Sequence, residues 1–156
     1  MMRSSSNFGN LVGILIFAVI FTVIVSTFLN ALFNPRSIVE VTDCTLTSDT
    51  VNSGELTSIT ITLKSDDEEN AHVVRIEFSS HELVRFLLGS VDLPRKDSIY
   101  YYEETLNPKA THTQFINIRP TLAPGISELE YRITAIFFID GEQFYNKNLD
   151  LTVQLP

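Results

Sequence analysis

The sequence predicts an all-β domain, an antiparallel two-sheet sandwich of about seven strands with one short inserted helix, preceded by a single N-terminal transmembrane helix. Three observations carry this reading. Leu11 to Phe33 (LVGILIFAVIFTVIVSTFLNALF) holds no charged residue. Beyond Arg36, hydrophobic and polar residues alternate with a period of two through most of the chain. Turn-forming residues then punctuate these runs at short intervals, as in a sandwich of short strands.

As a helix rising 1.5 Å per residue, residues 11–33 would extend roughly 35 Å, enough for a hydrocarbon core of about 30 Å. The run is too long for a cleaved signal, whose apolar core is about 7–15 residues, and NALFNP offers no small-x-small cleavage site. Thr22, Ser26 and Thr27 can bond back to helix carbonyls. Pro35 ends the helix by lacking an N–H and by disfavouring helical geometry at Asn34. The expected organisation is a short tail over residues 1–10, a signal anchor over 11–34 and a β-domain over 36–156.

All nineteen acidic residues lie beyond residue 35, whereas Arg3 is the only charge before Arg36. With the amine and Arg3 inside and Glu40, Asp43 and Asp49 after the span, the expected orientation puts the N-terminus in the cytoplasm and the β-domain outside the cell membrane. Residues 11–33 would meet the lipid bilayer. Gly9 and Gly13 have the small-xxx-small spacing that lets helices approach, though at the membrane edge, where incidental glycines are the simpler reading.

Strands are expected over Ser37 to Leu46, Leu56 to Lys64, His72 to Ser79, Ser98 to Thr105, Thr111 to Arg119 and Leu129 to Asp140, followed by a closing strand carrying Leu149, Leu151, Val153 and Leu155. In the second of these, Ile59, Ile61 and Leu63 face one way and Thr60, Thr62 and Lys64 the other, the pattern of a strand with one wet face. Asp140-Gly141 is a strong hairpin signal. Between the third and fourth strands, Ser80 suits a helix cap, Leu83, Phe86 and Leu87 share a helical face, and Gly89 suits a stop. The simpler reading is that this helix closes one open end of the sandwich; the alternative is that Val84 and Leu88, left on its other side, dock against a partner or the membrane surface.

The order VTDCTLTSDTVNSGELTSITITL, an acidic turn, VVRIEF, LNPKATHTQFINI and APGISELEYRITAIFFIDGEQF resembles the immunoglobulin-like adhesion modules of the CARDB type in archaeal and bacterial envelope proteins. Gly54-Glu55, Leu106-Asn107-Pro108, Pro124-Gly125 and Asp140-Gly141 occupy the family's turn positions. The resemblance implies an immunoglobulin-like fold and a non-catalytic, surface-exposed binding or spacer module.

Composition narrows the function classes further. A net charge of −8 leaves no broad basic surface for nucleic acid. One cysteine excludes an internal disulfide or a four-cysteine metal site. Cys44 reads as a small buried hydrophobe, with an intermolecular disulfide as the alternative. Asp66-Asp67-Glu68-Glu69 could offer oxygens to calcium but lacks a calcium-loop pattern, so a solvated turn is the simpler reading. His72, His81 and His112 show no metal-ligand spacing and read as exposed strand and loop positions. No nucleophile elbow or phosphate-cradling loop is present, so neither an enzyme nor a cofactor or small-molecule site is expected.

Tyr100, Tyr101 and Tyr102 must send at least one ring to each face of their strand. Together with Ile136 and Phe138, on the wet side of the longest strand, the outward rings are either covered by the inserted helix or mark a candidate partner surface. The expected function is a single-pass envelope protein whose outer domain binds another protein, in the same membrane or in the surface layer. An appendage component is the alternative, either an archaellum stator-like accessory protein or a pilin-like subunit. A pilin normally has a basic-Gly processing site and an early acidic residue, where this chain has Arg3-Ser4-Ser5-Ser6 and no Glu before Glu40.

Overall fold

Alternation of apolar and polar side chains drives the architecture. The computed structural model describes residues 38–156, and the transmembrane helix expected over 11–34, with Gly9 and Gly13, lies outside them. Among the described residues there is no helix, and so none long and apolar enough to cross a membrane.

The seven strands read from the sequence are all present: β1 (Val39–Leu46), β3 (Thr57–Ser65), β4 (His72–Ser79), β8 (Ile99–Leu106), β9 (Thr111–Pro120), β10 (Glu128–Ile139) and β11 (Glu142–Gln154). Four short ones join them: β2 (Thr50–Asn52), β5 (Val84–Leu88), β6 (Val91–Asp92) and β7 (Arg95–Lys96). The first sheet runs β1-β3-β9-β5-β6 and the second β2-β11-β10-β4-β8-β7. Their inner faces share one core, with Ile59, Ile61, Leu63, Ile116 and Ile118 from the first sheet and Val74, Ile76, Phe78, Ile133, Phe137 and Leu151 from the second. Burying each such side chain contributes about 1.5–3 kcal/mol relative to leaving it exposed.

The inserted helix is not formed. Residues 84–88 are strand β5, paired antiparallel to β9 from Val84↔Pro120 to Leu87↔Asn117. Spacing alone cannot separate a short apolar run on a strand from one on a helix, and two isolated helical turns are marginal in water. The free edge of β9 supplies hydrogen bonds, and the strand drives Phe86 into the core, stacked on Phe78 at 5.3 Å and against Tyr100 at 5.0 Å. Ser80 caps nothing; its hydroxyl donates to the Arg132 carbonyl across the sheet.

The sheets are also not antiparallel throughout, because β2 pairs parallel to β11. After β1 the chain turns a corner at Ser48, whose carbonyl accepts from the Thr57 hydroxyl, and Asp49 accepts from the Thr152 amide in the other sheet.

The Asp140-Gly141 hairpin forms as read, with φ of +49° and +93° matching the right-handed twist of the strands it joins. A bulge opposite Phe137 and Phe138 gives β11 an extra residue. Both Phe144 and Tyr145 consequently reach the Phe137 ring, edge-on at 6.3 and 5.3 Å.

Candidate functional site

The partner surface read from the sequence divides when placed on the strands. Val84, Tyr100 and Tyr102 are buried and leave that surface. Strand β5 turns Val84 inward beside Pro120, and the alternation of β8 sends Tyr100 and Tyr102 into the sandwich. Leu88 is exposed, opposite Val91 in the β5–β6 pair, but on the other sheet.

Tyr101, Ile136 and Phe138 do share one face of the second sheet. Antiparallel register sets Tyr101 beside Glu77 and Glu77 beside Ile136, while the next row sets Glu103 beside Arg75 and Arg75 beside Phe138. Each of these three apolar side chains is half-buried on the outer face of the second sheet. Arg75 sits within this patch, its guanidinium carbon 4.7 Å from the Phe138 ring centre and its Nη2 3.1 Å from Glu77. A cation over an aromatic face contributes about 0.5–1 kcal/mol at exposed sites. The Arg75 Nε is buried and has no hydrogen-bond partner. The outer face thus carries Tyr, Phe and Arg, residue types enriched at interfaces, with the Arg75–Glu77 pair lying between them.

A second cluster, missed in the sequence, lies at the end where β3 turns into β4 and β10 into β11. His72 is buried, contrary to its reading as an exposed strand residue. Its Nδ1 is 2.7 Å from the Asp140 carboxylate and its Nε2 3.0 Å from that of Asp67. A neutral imidazole offers one N–H, so filling both bonds requires the protonated ring. Hydrogen bonds that the ring donates to Asp140 and then to Asp67 raise the His72 pKa against its burial. Asp67 also accepts from the Glu69 and Asn70 amides at 2.8 and 3.0 Å, and these backbone bonds hold its carboxyl well below the usual range. Asp140 is lowered chiefly by His72, then by the Val73 amide. Of the four acids in this turn, Asp67 is thus turned inward as a structural acceptor. A solvated turn was only part of the answer.

The remaining candidates separate in space. The His81 ring packs near Tyr131 and accepts from the Leu83 amide. Among the described residues no three His, Cys, Asp or Glu side chains form a metal-binding group. Cys44 is buried as expected, and burial pushes its thiol up to about 11.

No family model matches the chain, and no curated protein does. Solved structures similar to it include the alkylpurine DNA glycosylase AlkC of Pseudomonas fluorescens bound to DNA containing an abasic site analog, at 13% identity and a TM-score of 0.45 over 74% of this chain and 30% of that one. Another is Spo0M, a sporulation control protein from Bacillus subtilis, at 14% identity and a TM-score of 0.47 over 77% and 51%. The chain spans about a third and about half of the lengths of these two proteins, and neither lends it an activity.

Proposed function

We propose that this protein is a single-pass, membrane-anchored cell-envelope component whose extracytoplasmic, immunoglobulin-like domain binds another protein and catalyses nothing. The observation that carries the reading is the outer-face patch of Tyr101, Ile136 and Phe138, with Arg75 and Glu77 between them. The uncharged stretch over residues 11–33 supports the anchor. The Tyr131 hydroxyl, near the start of β10, donates to the Thr121 carbonyl at 2.6 Å. That bond resembles the tyrosine corner of immunoglobulin-like sandwiches and supports the finer fold assignment. Few residues separate Phe33 from β1, which favours a partner in the same membrane or just above it.

Topology can be tested with a single thiol. Cys44 is buried with a raised pKa and so gives little background, while Ser90 lies exposed in the β5–β6 turn. A membrane-impermeant maleimide added to intact cells should label Ser90→Cys. Labelling that appears only after cell lysis would place the domain in the cytoplasm and end this reading.

A further inference from the structure

The core turns polar where β8 and β9 approach the turn that joins them. The alternation that buries Tyr100 and Tyr102 on β8 continues to Glu104, and the alternation that buries Ile118 and Ile116 on β9 continues to Gln114 and His112. These strands belong to different sheets. On β9, the neighbour β5 reaches only from Pro120 back to Asn117, and on β8 the neighbour β7 reaches only Ile99 and Tyr100. Four polar side chains therefore meet at an open side of the sandwich.

Their hydrogen-bond inventory does not balance. The Tyr102 hydroxyl is 2.9 Å from Glu104 Oε2 and 3.0 Å from Gln114 Oε1, yet a phenol carries one proton for these two acceptors. Rotating the Gln114 amide does not help, because its Nε2 donates to the Phe115 carbonyl at 3.0 Å and fixes the oxygen inward. His112 Nε2 is buried without a hydrogen-bond partner and stands 3.8 Å from Glu104 Oε2. Carboxylate, amide oxygen and imidazole nitrogen thus lie close together, and no hydrogen bond joins the imidazole nitrogen to the other two.

We propose that Glu104 Oε2, His112 Nε2 and Gln114 Oε1 bind a divalent transition-metal cation of the zinc type, with water completing its shell. A nitrogen and an anionic oxygen suit such ions better than calcium or magnesium, which take oxygen. With bonds of about 2.0–2.2 Å, two ligands on one tetrahedral ion stand about 3.3–3.5 Å apart, so the 3.8 Å gap needs to close by only a few tenths. Tyr102 then acts as a positioning residue, donating its proton to Glu104 and aiming that carboxylate. Side-chain exposures of 35% for His112 and 32% for Glu104 leave an entry route.

The test uses the full chain in detergent, titrated with Zn2+ alone and followed by calorimetry and by the imidazole NMR signals. The expected result is saturable binding of one equivalent, with the His112 ring signals shifting and those of His72 and His81 unmoved. His112→Ala and Glu104→Gln should each weaken binding by about tenfold or more, and His81→Ala should bind as the parent does. Unchanged circular dichroism in the variants confirms that they fold, and the ring shifts of the unmutated chain need no variant at all. Absence of saturable binding, binding that survives in His112→Ala, or tighter binding of Ca2+ than Zn2+ would overturn the proposal.

Discussion

The Nδ1 of His72 lies 2.7 Å from the Asp140 carboxylate, tying the start of β4 to the turn that ends β10. Because Asp67 holds the other ring nitrogen at 3.0 Å, one imidazolium joins two turns that are far apart in sequence.

This pairing gives stability a definite dependence on pH. The folded-state pKa of His72 is raised, so its contribution is full below the ordinary value of 6.5 and is lost as pH rises through the raised one. Asp67 and Asp140 are lowered, so theirs is full above the ordinary 3.8 and is lost as pH falls through the lowered values. Thermal melts should therefore show the cluster's contribution greatest between these limits, on the mildly acidic side. His72→Gln should flatten the alkaline decline, and a variant that declines as the parent does would assign that decline to other groups.

The strand reading of residues 84–88 is tested by two neighbours in one segment. Val84 is buried and Leu88 exposed, whereas a helix would place both on one face. Val84→Asp should cost several kcal/mol by burying a charge without a partner, and Leu88→Asp less than about 0.5 kcal/mol. Urea denaturation of both variants measures the difference, and equal effects would contradict the strand.

Removing one oxygen tests the tie at the start of β10. Tyr131→Phe leaves the ring in the core but deprives the Thr121 carbonyl of its donor. A loss of about 1 kcal/mol is expected from equilibrium unfolding, and an unchanged stability would show that the bond contributes nothing net.

At the β10–β11 hairpin, Gly141 holds φ at +93° with nothing near where a side chain would project. Gly141→Ala should thus cost about 1–2 kcal/mol, arising from the backbone alone. Double-mutant analysis with Ile133→Val, deep in the core, should show additivity.

Much of this architecture was legible because alternation is a local signal. Ile59, Ile61 and Leu63 point inward whatever their partners are, and Asp140-Gly141 can form its turn without help from the rest of the chain. Phe86 was misread because its choice between helix and strand depends on the free edge of β9, which no local pattern reveals. His72 was misread for the same reason: Asp140 lies 68 residues away in the chain, and an isolated histidine carries no mark of a distant carboxylate. At the candidate surface, three tyrosines in a row announced one outward ring. The choice of Tyr101 followed only from the register with Glu77 and Ile136.

Photo-crosslinking from the outer face of the second sheet tests the central claim most directly. A benzophenone amino acid replacing Tyr101, activated in intact cells, should yield one discrete protein adduct that Ile136→Lys abolishes. The same probe at Phe115, exposed on the first sheet, should yield none. Adducts of equal intensity at both positions, or an adduct at Tyr101 that survives Ile136→Lys, would contradict a partner bound through this patch.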